Sequence, residues 1–457
     1  MKKLLLALLL CLTACVFSGC IDEFAATDEL MSPPTINDDQ FGIYSVLGSD
    51  GKVPDFLYPA RGDINTPVYI KDINGDGTNE AFAFSTDPDS GGSLITFMSK
   101  REGSWKVVAQ FKNSAAQVDK VIIEDITGDK EPEIIVGWGS YRSMAATVCI
   151  YRREITEEGK KIKEYKLGYT YGDMMLTDFT DDGISELCTV TVHTTGGVNQ
   201  AVMSNAIARV YTFAGETPYC AYAVNLSKNV GEYSKLCFGT ADNGKKILVI
   251  DGLTTEGQLM TQILVLSADG SGIITPMIYS EVQSKYGNFS RPADMKLFAR
   301  DIDGDGYLEM PFAKPMPGLS GDSGEEYMVY WMDYVGGSEQ FETSGATLVN
   351  IKDGYYMEVE KNMENLVAVY HYDVGEYVLN LAKLDDEGGI TELNTLFTIH
   401  KFDPEKTSVD KISRDYIVTD IMDDGSIIAF EYSKDYGEAD WVKNIAESFA
   451  PLSNITY

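Results

Sequence analysis

The chain has 457 residues, of which 44% are hydrophobic, so it is long enough for two or three domains with apolar cores and is not disordered as a whole. The 70 Asp and Glu residues outnumber the 37 Lys and Arg residues, and the net charge at pH 7 is -33. This charge excludes a general nucleic-acid binder, which needs a basic surface, and it argues against docking on anionic lipid through the protein's own face.

The N-terminus has the pattern of a secretory signal. Two lysines precede an apolar run over Leu4–Phe17, which is too short to span a bilayer comfortably. The run ends in FSGC, and small residues before a cysteine resemble a bacterial lipobox. The resemblance implies a lipoprotein signal peptide over 1–20 and a diacylated Cys20, while LTAC keeps Cys15 as an alternative. We therefore expect an extracytoplasmic protein that is attached to the cell membrane through its N-terminal lipid only.

Residues 21–60 are predicted to be a tether and linker. A short helix is predicted within TINDDQFGIYSVL, beginning at Thr35 or Asn37. The tripeptide RGD at 61–63 matches an integrin-recognition motif. Three-residue matches arise often by chance, so we interpret its arginine as an ordinary linker residue.

A nine-residue acidic pattern recurs four times along the following part of the chain. We name the copies after their first Asp: the 72 loop (DINGDGTNE), the 125 loop (DITGDKEPE), the 178 loop (DFTDDGISE) and the 301 loop (DIDGDGYLE). The starts are 53, 53 and 123 residues apart, and FGTADNGKKILVIDG at 238–252 has the shape of a decayed copy within the longest gap. A repeat of this length is typical of an array of supersecondary units, such as the four-stranded blades of a propeller.

The pattern places oxygen-bearing side chains at loop positions 1, 3, 5 and 9. Calcium is a hard cation that takes roughly six to eight oxygen ligands. Side chains at positions 1, 3 and 5 of a tight loop point inward together, and an acid at position 9 can close the shell. Glycine at positions 4 and 6 permits the positive backbone angles that such a bend needs. Because clustered carboxylates would otherwise repel one another, the pattern favours a divalent-cation site.

Strand-like runs flank each copy, which argues against the helical calcium motifs. An EF-hand lies between helices and uses an acid at position 12. Here position 12 is never an acid; it is Ala83, Val136, Thr189 or Phe312. Flanking runs such as PVYIK and AFAFS are β-branched and aromatic, as in strands. Each copy is therefore predicted to be a hairpin feature.

The four copies resemble the FG-GAP/VCBS type of calcium-loop propeller repeat over residues 61–345. The resemblance implies a mainly β fold, a β-propeller of about five blades (up to seven) and Ca2+ as the cofactor. Carried over by position, it implies ligands in every loop: Asp72, Asn74, Asp76 and Glu80; Asp301, Asp303, Asp305 and Glu309; Asp125, Asp129 and Glu133; Asp178, Asp182 and Glu186. The 125 and 178 loops match less well, because Thr127 and Thr180 stand at position 3. In each a glycine is also replaced, by Lys130 or Asp181, so these two loops either bind loosely or only cap the turn.

The acidic pattern stops near residue 345, and residues 346–457 are predicted to form a small α+β domain. Strand-like runs precede one helix, which Asp440 is predicted to cap and Pro451 to stop. Its predicted apolar stripe consists of Val442, Ile445, Ala446 and Phe449. DIMDDGS at 420–426 lacks an acid at position 9 and is predicted to be a hairpin turn. The order of elements is similar to PsbP/Mog1-like domains of bacterial lipoproteins.

The remaining sequence features favour a binding module over an enzyme. Beyond the leader, the cysteines show no CxxC pairing and are predicted to be buried thiols, with one disulfide left open: Cys149, Cys188, Cys220 and Cys237. Tyr171, Trp331 and Tyr334 could line a ligand face, but we interpret them as packing residues. Two functions remain: a cell-surface binding or scaffold lipoprotein for an unknown glycan or protein, and an extracellular carboxylate-dependent glycan hydrolase or lyase. Because no catalytic constellation is evident in the sequence, we expect the first.

Overall fold

A computed structural model of the chain describes residues 38–48, 53–139, 146–156, 159–193, 206–215, 217–267, 270, 272–276, 289–316, 326–336, 341–360, 363, 366–373, 376–384, 389–412, 414–422, 424–436 and 439–456. The leader lies outside these residues, as do Cys15 and Cys20, so the lipid anchor stays a prediction. Within the described ranges, no helix has the length and apolar character needed to cross a membrane.

Strands dominate the described residues, and the first three sheets each contain four of them. The first sheet contains, in spatial order, β1 (Val68–Lys71), β2 (Glu80–Thr86), β3 (Ser93–Arg101) and β4 (Ser104–Asn113). The second contains β5 (Val118–Glu124), β6 (Glu133–Trp138), β7 (Thr147–Thr156) and β8 (Gly159–Thr170). The third contains β9 (Asp173–Thr177), β10 (Glu186–Thr191), β11 (Ile207–Ala214) and β12 (Thr217–Asn225).

Three further sheets follow. The fourth contains β13 (Val230–Thr240), β14 (Lys246–Thr254), β15 (Gln258–Leu266) and β16 (Ile273–Ile274), with β17 (Ser290–Pro292) also paired to β15. The fifth contains β18 (Met310–Pro315), β19 (Glu326–Tyr334), β20 (Phe341–Asn350), β21 (Tyr355–Val359) and β27 (Ala450–Pro451). The sixth contains, in spatial order, β22 (Val367–Asp373), β23 (Glu376–Leu384), β24 (Ile390–Phe402), β26 (Ile427–Tyr432) and β25 (Ile417–Ile421).

All the strand pairs are antiparallel, and the mainly β prediction is confirmed. Short 3-10 turns lie at Ala293–Met295, Val409–Lys411 and Leu452–Asn454. The turn predicted at 420–426 does join β25 to β26, where Met422 N donates to Ser426 O over 2.9 Å. Successive hairpins of this kind need only short connections, so neighbours in sequence become neighbours in each sheet.

Each sheet packs a face against the next sheet along the chain. Strand residues alternate between two faces, and apolar side chains on facing surfaces form shared clusters. The clusters join successive sheets through Phe84 and Trp138, Ile150 and Leu187, Val190 and Ile250, Val249 and Met310, and Leu348 and Phe397. Among the described residues, no such cluster joins the sixth sheet to the first.

Corresponding edges of neighbouring sheets also lie side by side. The first strands meet where Lys120 Nζ on β5 donates to the carbonyl oxygen of Met174 on β9 over 2.7 Å, and β9 in turn contacts β13. The last strands meet where β4 contacts β8 and where β12 contacts β16. The sheets are therefore stacked in one orientation rather than alternately reversed.

The two α-helices of the described residues cover apolar surface at the ends of this stack. Helix α1 (Asp38–Leu47) places Ile43 against the face of the first sheet that carries Met98 and Trp105. Helix α2 (Asp440–Glu447) belongs to the cluster between the fifth and sixth sheets, and its buried residues Val442, Ile445 and Ala446 match the predicted stripe. Phe449, also predicted for the stripe, is buried in the same cluster but lies beyond the end of the helix. The predicted cap is wrong, because Asp440 is already helical and the cap position is Ala439, which makes no side-chain cap bond.

The predicted domain boundary at 345/346 falls inside β20, which runs from Phe341 to Asn350. The fifth sheet continues through β21 and is then rejoined by β27 near the C-terminus. Residues after 346 thus complete the fifth sheet before the sixth begins. The assignment of the last part of the chain to a PsbP/Mog1-like domain stays a prediction.

Two ion pairs with buried carboxylates tie distant parts of the fold together. Arg61 of the RGD tripeptide donates from Nε and Nη2 to Asp119 over 2.9 and 2.7 Å and lies 3.2 Å from Asp173. It therefore anchors the segment before β1 to the second and third sheets, a tertiary role that its interpretation as an ordinary linker residue did not include. In the fourth sheet, Arg291 and Asp251 are 2.7 Å apart and only 0% and 1% exposed.

The aromatic and thiol side chains singled out in the sequence are mostly internal. Tyr171, Trp331 and Tyr334 are all buried, which confirms their interpretation as packing residues. Every cysteine outside the leader is a free thiol, so the open disulfide does not form here: Cys149, Cys188, Cys220 and Cys237. The buried-thiol prediction is correct for Cys149 and Cys188 but wrong for Cys220, which is exposed on the last strand of the third sheet.

Candidate functional site

The acidic loops stand at equivalent places in their sheets. The 72, 125 and 178 loops each connect the first strand of a sheet to its second. The 301 loop leads into β18 and is closed by a bridge between Arg300 and Glu309, so Arg300 stands where the other loops follow a first strand. In the fifth sheet β18 and β19 therefore correspond to the second and third strands of the first three sheets. The decayed copy also forms a hairpin turn, in which Ala241 N donates to Lys245 O over 2.9 Å between β13 and β14. The prediction that these segments are hairpin features is confirmed.

One hydrogen-bond scaffold is common to all four loops. The Asp at position 1 accepts from the backbone nitrogen at position 6 over 2.8, 2.7, 2.9 and 3.0 Å: Asp72, Asp125, Asp178 and Asp301. The Glu at position 9 reaches back to the backbone nitrogen at position 2 over 3.1, 3.0, 2.8 and 2.8 Å: Glu80, Glu133, Glu186 and Glu309. These bonds satisfy loop amides that no strand can pair.

The loop path is kept even where glycine is replaced. Glycine at position 6 has φ of 84°, 88° and 91° in the 72, 178 and 301 loops, and Lys130 adopts φ of 70° in its place. Asp181 likewise adopts φ of 61° where the other loops have glycine at position 4. Because L-residues are strained in this region, the bonds of the scaffold impose these angles.

Replacing Lys130 by glycine is expected to stabilise the protein. Lys130→Gly removes a left-handed lysine and keeps the backbone bond to Asp125, so the free energy of unfolding should rise by about 1 kcal/mol. Urea unfolding measures the difference. The matched control is Gly77→Lys, which should destabilise by a similar amount, since a Cβ at Gly77 meets no atom within 4 Å and only backbone strain is added. Equal stability of both variants and the wild type would contradict this account.

The 301 loop gathers three of its acids into one cluster. One oxygen each of Asp301, Asp303 and Glu309 lies within 4.8 Å of the others. Glu309 is 0% exposed, and its Oε1 atom has no hydrogen-bond partner. Burial and nearby acids raise the pKa of Glu309 above its usual value. The donors are all oxygens, so this arrangement fits a hard divalent cation, and Asp305 borders it while accepting from Tyr307 N over 2.8 Å.

The 178 loop also brings three carboxylates together. Oxygens of Asp178, Asp182 and Glu186 lie within 4.8 Å of one another. Both oxygens of Glu186 are engaged, by Phe179 N over 2.8 Å and by the Thr180 hydroxyl over 2.7 Å. Thr180 thus caps the turn, while the other two acids keep lone pairs for a cation. Burial raises the pKa of Glu186.

The 72 loop matches the sequence pattern fully but is arranged differently. The amide nitrogen of Asn74 donates to Asp76 over 3.0 Å and to Glu80 over 3.4 Å. The amide therefore lies between the carboxylates that a cation would bridge. Asn74 Oδ1 meanwhile accepts from the backbone nitrogen of Asp76 over 3.0 Å. The roles of these residues as metal ligands stay predictions.

In the 125 loop an arginine lies against the acids. Arg152 on β7 donates to Asp129 over 2.9 Å, and its Nε atom lies 3.5 Å from Glu133 Oε1. Although partial burial acts in the opposite direction, the bond from Arg152 holds the pKa of Asp129 below its usual value. Its positive charge takes the role that a bound cation would have. Asp129 and Glu133 therefore already have a counter-charge within the protein, and the role of Asp125 as a ligand stays a prediction.

Glu133 is expected to make stability depend on pH. Burial raises the pKa of this side chain from 4.5 to about 7. Between these values the folded state binds more protons than the unfolded state, so this group's contribution falls as the pH rises, by at most about 3 kcal/mol. Urea unfolding at pH 5 and pH 8 measures this fall in the free energy of unfolding. In Glu133→Gln the free energy of unfolding should fall less between pH 5 and pH 8, because the titrating group is gone. An identical pH dependence in the variant would refute the assignment.

A cavity of about 290 Å³ opens beside the 72 loop, between the first and second sheets. Phe97 and Tyr151 form part of its apolar lining, and Glu80 and Arg153 contribute charge. Arg153 lies 3.4 Å from Glu80. The cavity has room for a small group with both apolar and charged parts.

The sequence analysis missed the residues that oppose the loops from the third strand of each sheet. Arg152 and Asp333 lie across from the Glu at position 9, about twenty residues beyond it along the chain. They could be found from the sequence only by predicting how the residues of the second and third strands pair in their hairpin. That register is set by turn length and cannot be read from the loop motif itself.

Comparisons with known proteins leave the family open. No protein-family model and no curated protein matches the chain. One similar solved structure is the exotype rhamnogalacturonan lyase YesX, with a TM-score of 0.29, 12% identity, and coverage of 83% of this chain and 90% of that chain. Sqt1 from Chaetomium thermophilum gives a TM-score of 0.31, 9% identity, and coverage of 85% and 99%. Likenesses this weak carry no argument about function.

Proposed function

We propose that the protein is a cell-surface lipoprotein whose mainly β body is a calcium-stabilised propeller that acts as a binding or scaffold module. The observation that carries this proposal is the 301 loop. There the fully buried Glu309 has one oxygen without a hydrogen-bond partner, and one of its oxygens lies within 4.8 Å of oxygens of Asp301 and Asp303. An unpaired buried charge beside like charges is costly unless a cation neutralises it.

Calcium is the cation that best suits this donor set. It takes carboxylate, carbonyl and water oxygens in flexible geometry, and the 301 loop supplies oxygens without nitrogen or sulfur donors. When bound, the ion supplies positive charge and bridges the two ends of the hairpin. Asp301 and Asp303 would hold it from the loop, and Glu309 from the start of the second strand. Asp178 and Asp182 offer a second site of the same kind.

The stacking of the sheets supports the propeller part of the proposal. The first five sheets follow one another in the chain, and among the first four sheets first strands lie near first strands or last strands near last strands. The fifth sheet contacts the fourth through β18 and β17. Blades arranged around an axis have this relation. The predicted five blades correspond to these five sheets. The sixth sheet, with α2, is then the accessory α+β part.

The protein's ligand is proposed to be a glycan or a protein outside the cell. The net charge of -33 favours contact with neutral or basic surfaces rather than with nucleic acid or anionic lipid. An extracellular module of this kind works at calcium concentrations that keep weak sites filled. Membrane attachment is assigned to the lipid on Cys20 alone.

Calcium binding and ligand capture test the proposal together. Isothermal titration calorimetry of Ca2+ into chelator-treated protein should give at least one binding event, and a glycan and peptide array probed with calcium-loaded protein should give binding that a chelator abolishes. Mass spectrometry of the native N-terminus should show lipid on Cys20. Release of shortened oligosaccharides from a bound glycan would instead favour the glycan hydrolase or lyase. Absence of calcium binding would overturn the proposal.

A further inference from the structure

The residue that faces the position-9 glutamate from the third strand differs from sheet to sheet. We call this place the opposing position. In the first sheet it is Ser99, which pairs with Glu80. The register of the other sheets places Arg152, Thr212 and Asp333 there, next to Tyr151, Tyr211 and Met332 respectively. The four loops share a backbone scaffold, so this side chain sets the charge that each loop presents.

The second sheet shows what the opposing position can do. Arg152 is a cation supplied by the fold, 2.9 Å from Asp129 and 3.5 Å from Glu133. Its side chain is only 13% exposed, so its charge acts where solvent screens weakly. A positive charge at this place is therefore compatible with the loop, and it reaches the acids at positions 5 and 9.

The fifth sheet has the opposite charge at the same place. Asp333 lies within hydrogen-bonding reach of Glu309, and Asp242, Asp303 and Asp305 are close enough to repel it. Asp333 Oδ1 and Glu309 Oε1 are both buried atoms that have no hydrogen-bond partner. Asp333 is only partly buried and is not among the three acids whose oxygens lie within 4.8 Å of one another, so it joins that group through Glu309. Two carboxylates in such contact need either a cation or a shared proton between them.

We propose that Asp333 is a metal ligand supplied from outside the 301 loop, so that one divalent cation joins the loop to the third strand of the fifth sheet. The inference rests on the proposed calcium function and assigns a residue that the loop motif does not contain. The additional carboxylate makes this the tightest calcium site of the described residues, since affinity rises with the charge of the ligand set. The Arg152 side chain makes the 125 loop independent of calcium for the converse reason.

Calorimetric titration of Ca2+ into the chelator-treated full chain tests the inference with Asp333→Asn. This variant keeps the shape of the side chain and should weaken the tightest site by about ten-fold or more. The matched control is Asp242→Asn, which removes a nearby charge from an exposed turn and should change that affinity by no more than about three-fold because solvent screens it. Asp333→Ser, which copies Ser99 of the first sheet, is a second variant for the case that the asparagine disturbs folding. It should weaken the tightest site in the same way.

The outcomes separate the inference from the function on which it rests. If the wild type binds Ca2+ and both Asp333 variants bind it equally well, Asp333 is not a ligand, although the calcium function stands. A proton shared between Asp333 and Glu309 would give this result. The Asp333 variants would then change the melting temperature of the metal-free protein and leave calcium binding as it is. If the wild type binds no Ca2+, the inference and the calcium function both fail. Weaker binding in both Asp333 variants, with Asp242→Asn unchanged, supports the assignment.

Discussion

Removal of bound divalent cations is expected to lower the melting temperature of the protein by on the order of 10 °C. Each site filled at a hundred times its dissociation constant adds about 2.7 kcal/mol to the free energy of unfolding. Two loops, 178 and 301, bring three carboxylates within 4.8 Å, so their combined loss is about 5 kcal/mol. The loss comes from acids that have no counter-charge once the cation has gone. Burial first, and then nearby acids, raise the pKa of Glu309.

Melting curves recorded by circular dichroism, with calcium and with excess chelator, measure this effect. The control is a double variant, Asp178→Asn with Asp301→Asn, which should melt near the temperature of the chelated wild type and should not respond to chelator. Magnesium should restore little of the loss, because it holds its waters and demands near-ideal octahedral geometry. Superimposable curves for the wild type in the two buffers would contradict the calcium proposal.

Breaking the buried ion pair of the fourth sheet is expected to be the most damaging single substitution. Arg291 donates to Asp251 over 2.7 Å, to the Thr261 hydroxyl over 2.7 Å and to the Leu297 carbonyl over 2.6 Å. Asp251→Ala leaves the guanidinium buried without its counter-charge. Such a loss costs about 3 to 5 kcal/mol, since the remaining charge is neither solvated nor paired.

Urea unfolding of three variants isolates the cause. Asp251→Ala should be strongly destabilised, while Asp251→Leu combined with Arg291→Met should recover much of the loss because no buried charge remains. The exposed control is Asp403→Ala, which breaks a 2.8 Å pair with Lys406 and should change stability by less than about 1 kcal/mol. A double variant no more stable than Asp251→Ala would show that packing, and not charge, explains the effect.

The sequence was informative wherever local chemistry determines the backbone. Alternating strand runs and acidic turns predicted the hairpins, and the glycine pattern predicted left-handed angles that Lys130 and Asp181 also adopt. The stripe of α2 was predictable because Val442, Ile445 and Ala446 follow the helical period. The cap of this helix was not predictable. The cap position is Ala439, one residue before the predicted Asp440, and packing decides a boundary at this precision.

Features that join distant segments were not predictable from the loop motif. Arg152 and Asp333 act across a strand pair, and Asp251 meets Arg291 only after β15 and β17 have paired. The predicted boundary at residue 345 lies where the acidic loops stop. The fifth sheet continues beyond it through β21 and β27, which are not preceded by acidic loops. The acidic sequence pattern ends near residue 345, but the strand pairing of the fifth sheet continues past it.

The return of the chain through β27 gives the segment between β21 and β27 the topology of an insertion. Tyr356 pairs with Ala450, so the points where the chain leaves and re-enters the fifth sheet are adjacent. A segment with adjacent ends can be gained or exchanged between relatives while its host keeps its connectivity. Here the exchange is constrained, because Met357 and Leu348 of the host pack against Phe449 and Phe397 of the inserted part. Any segment that replaces it must supply apolar side chains that bury the same face of the fifth sheet.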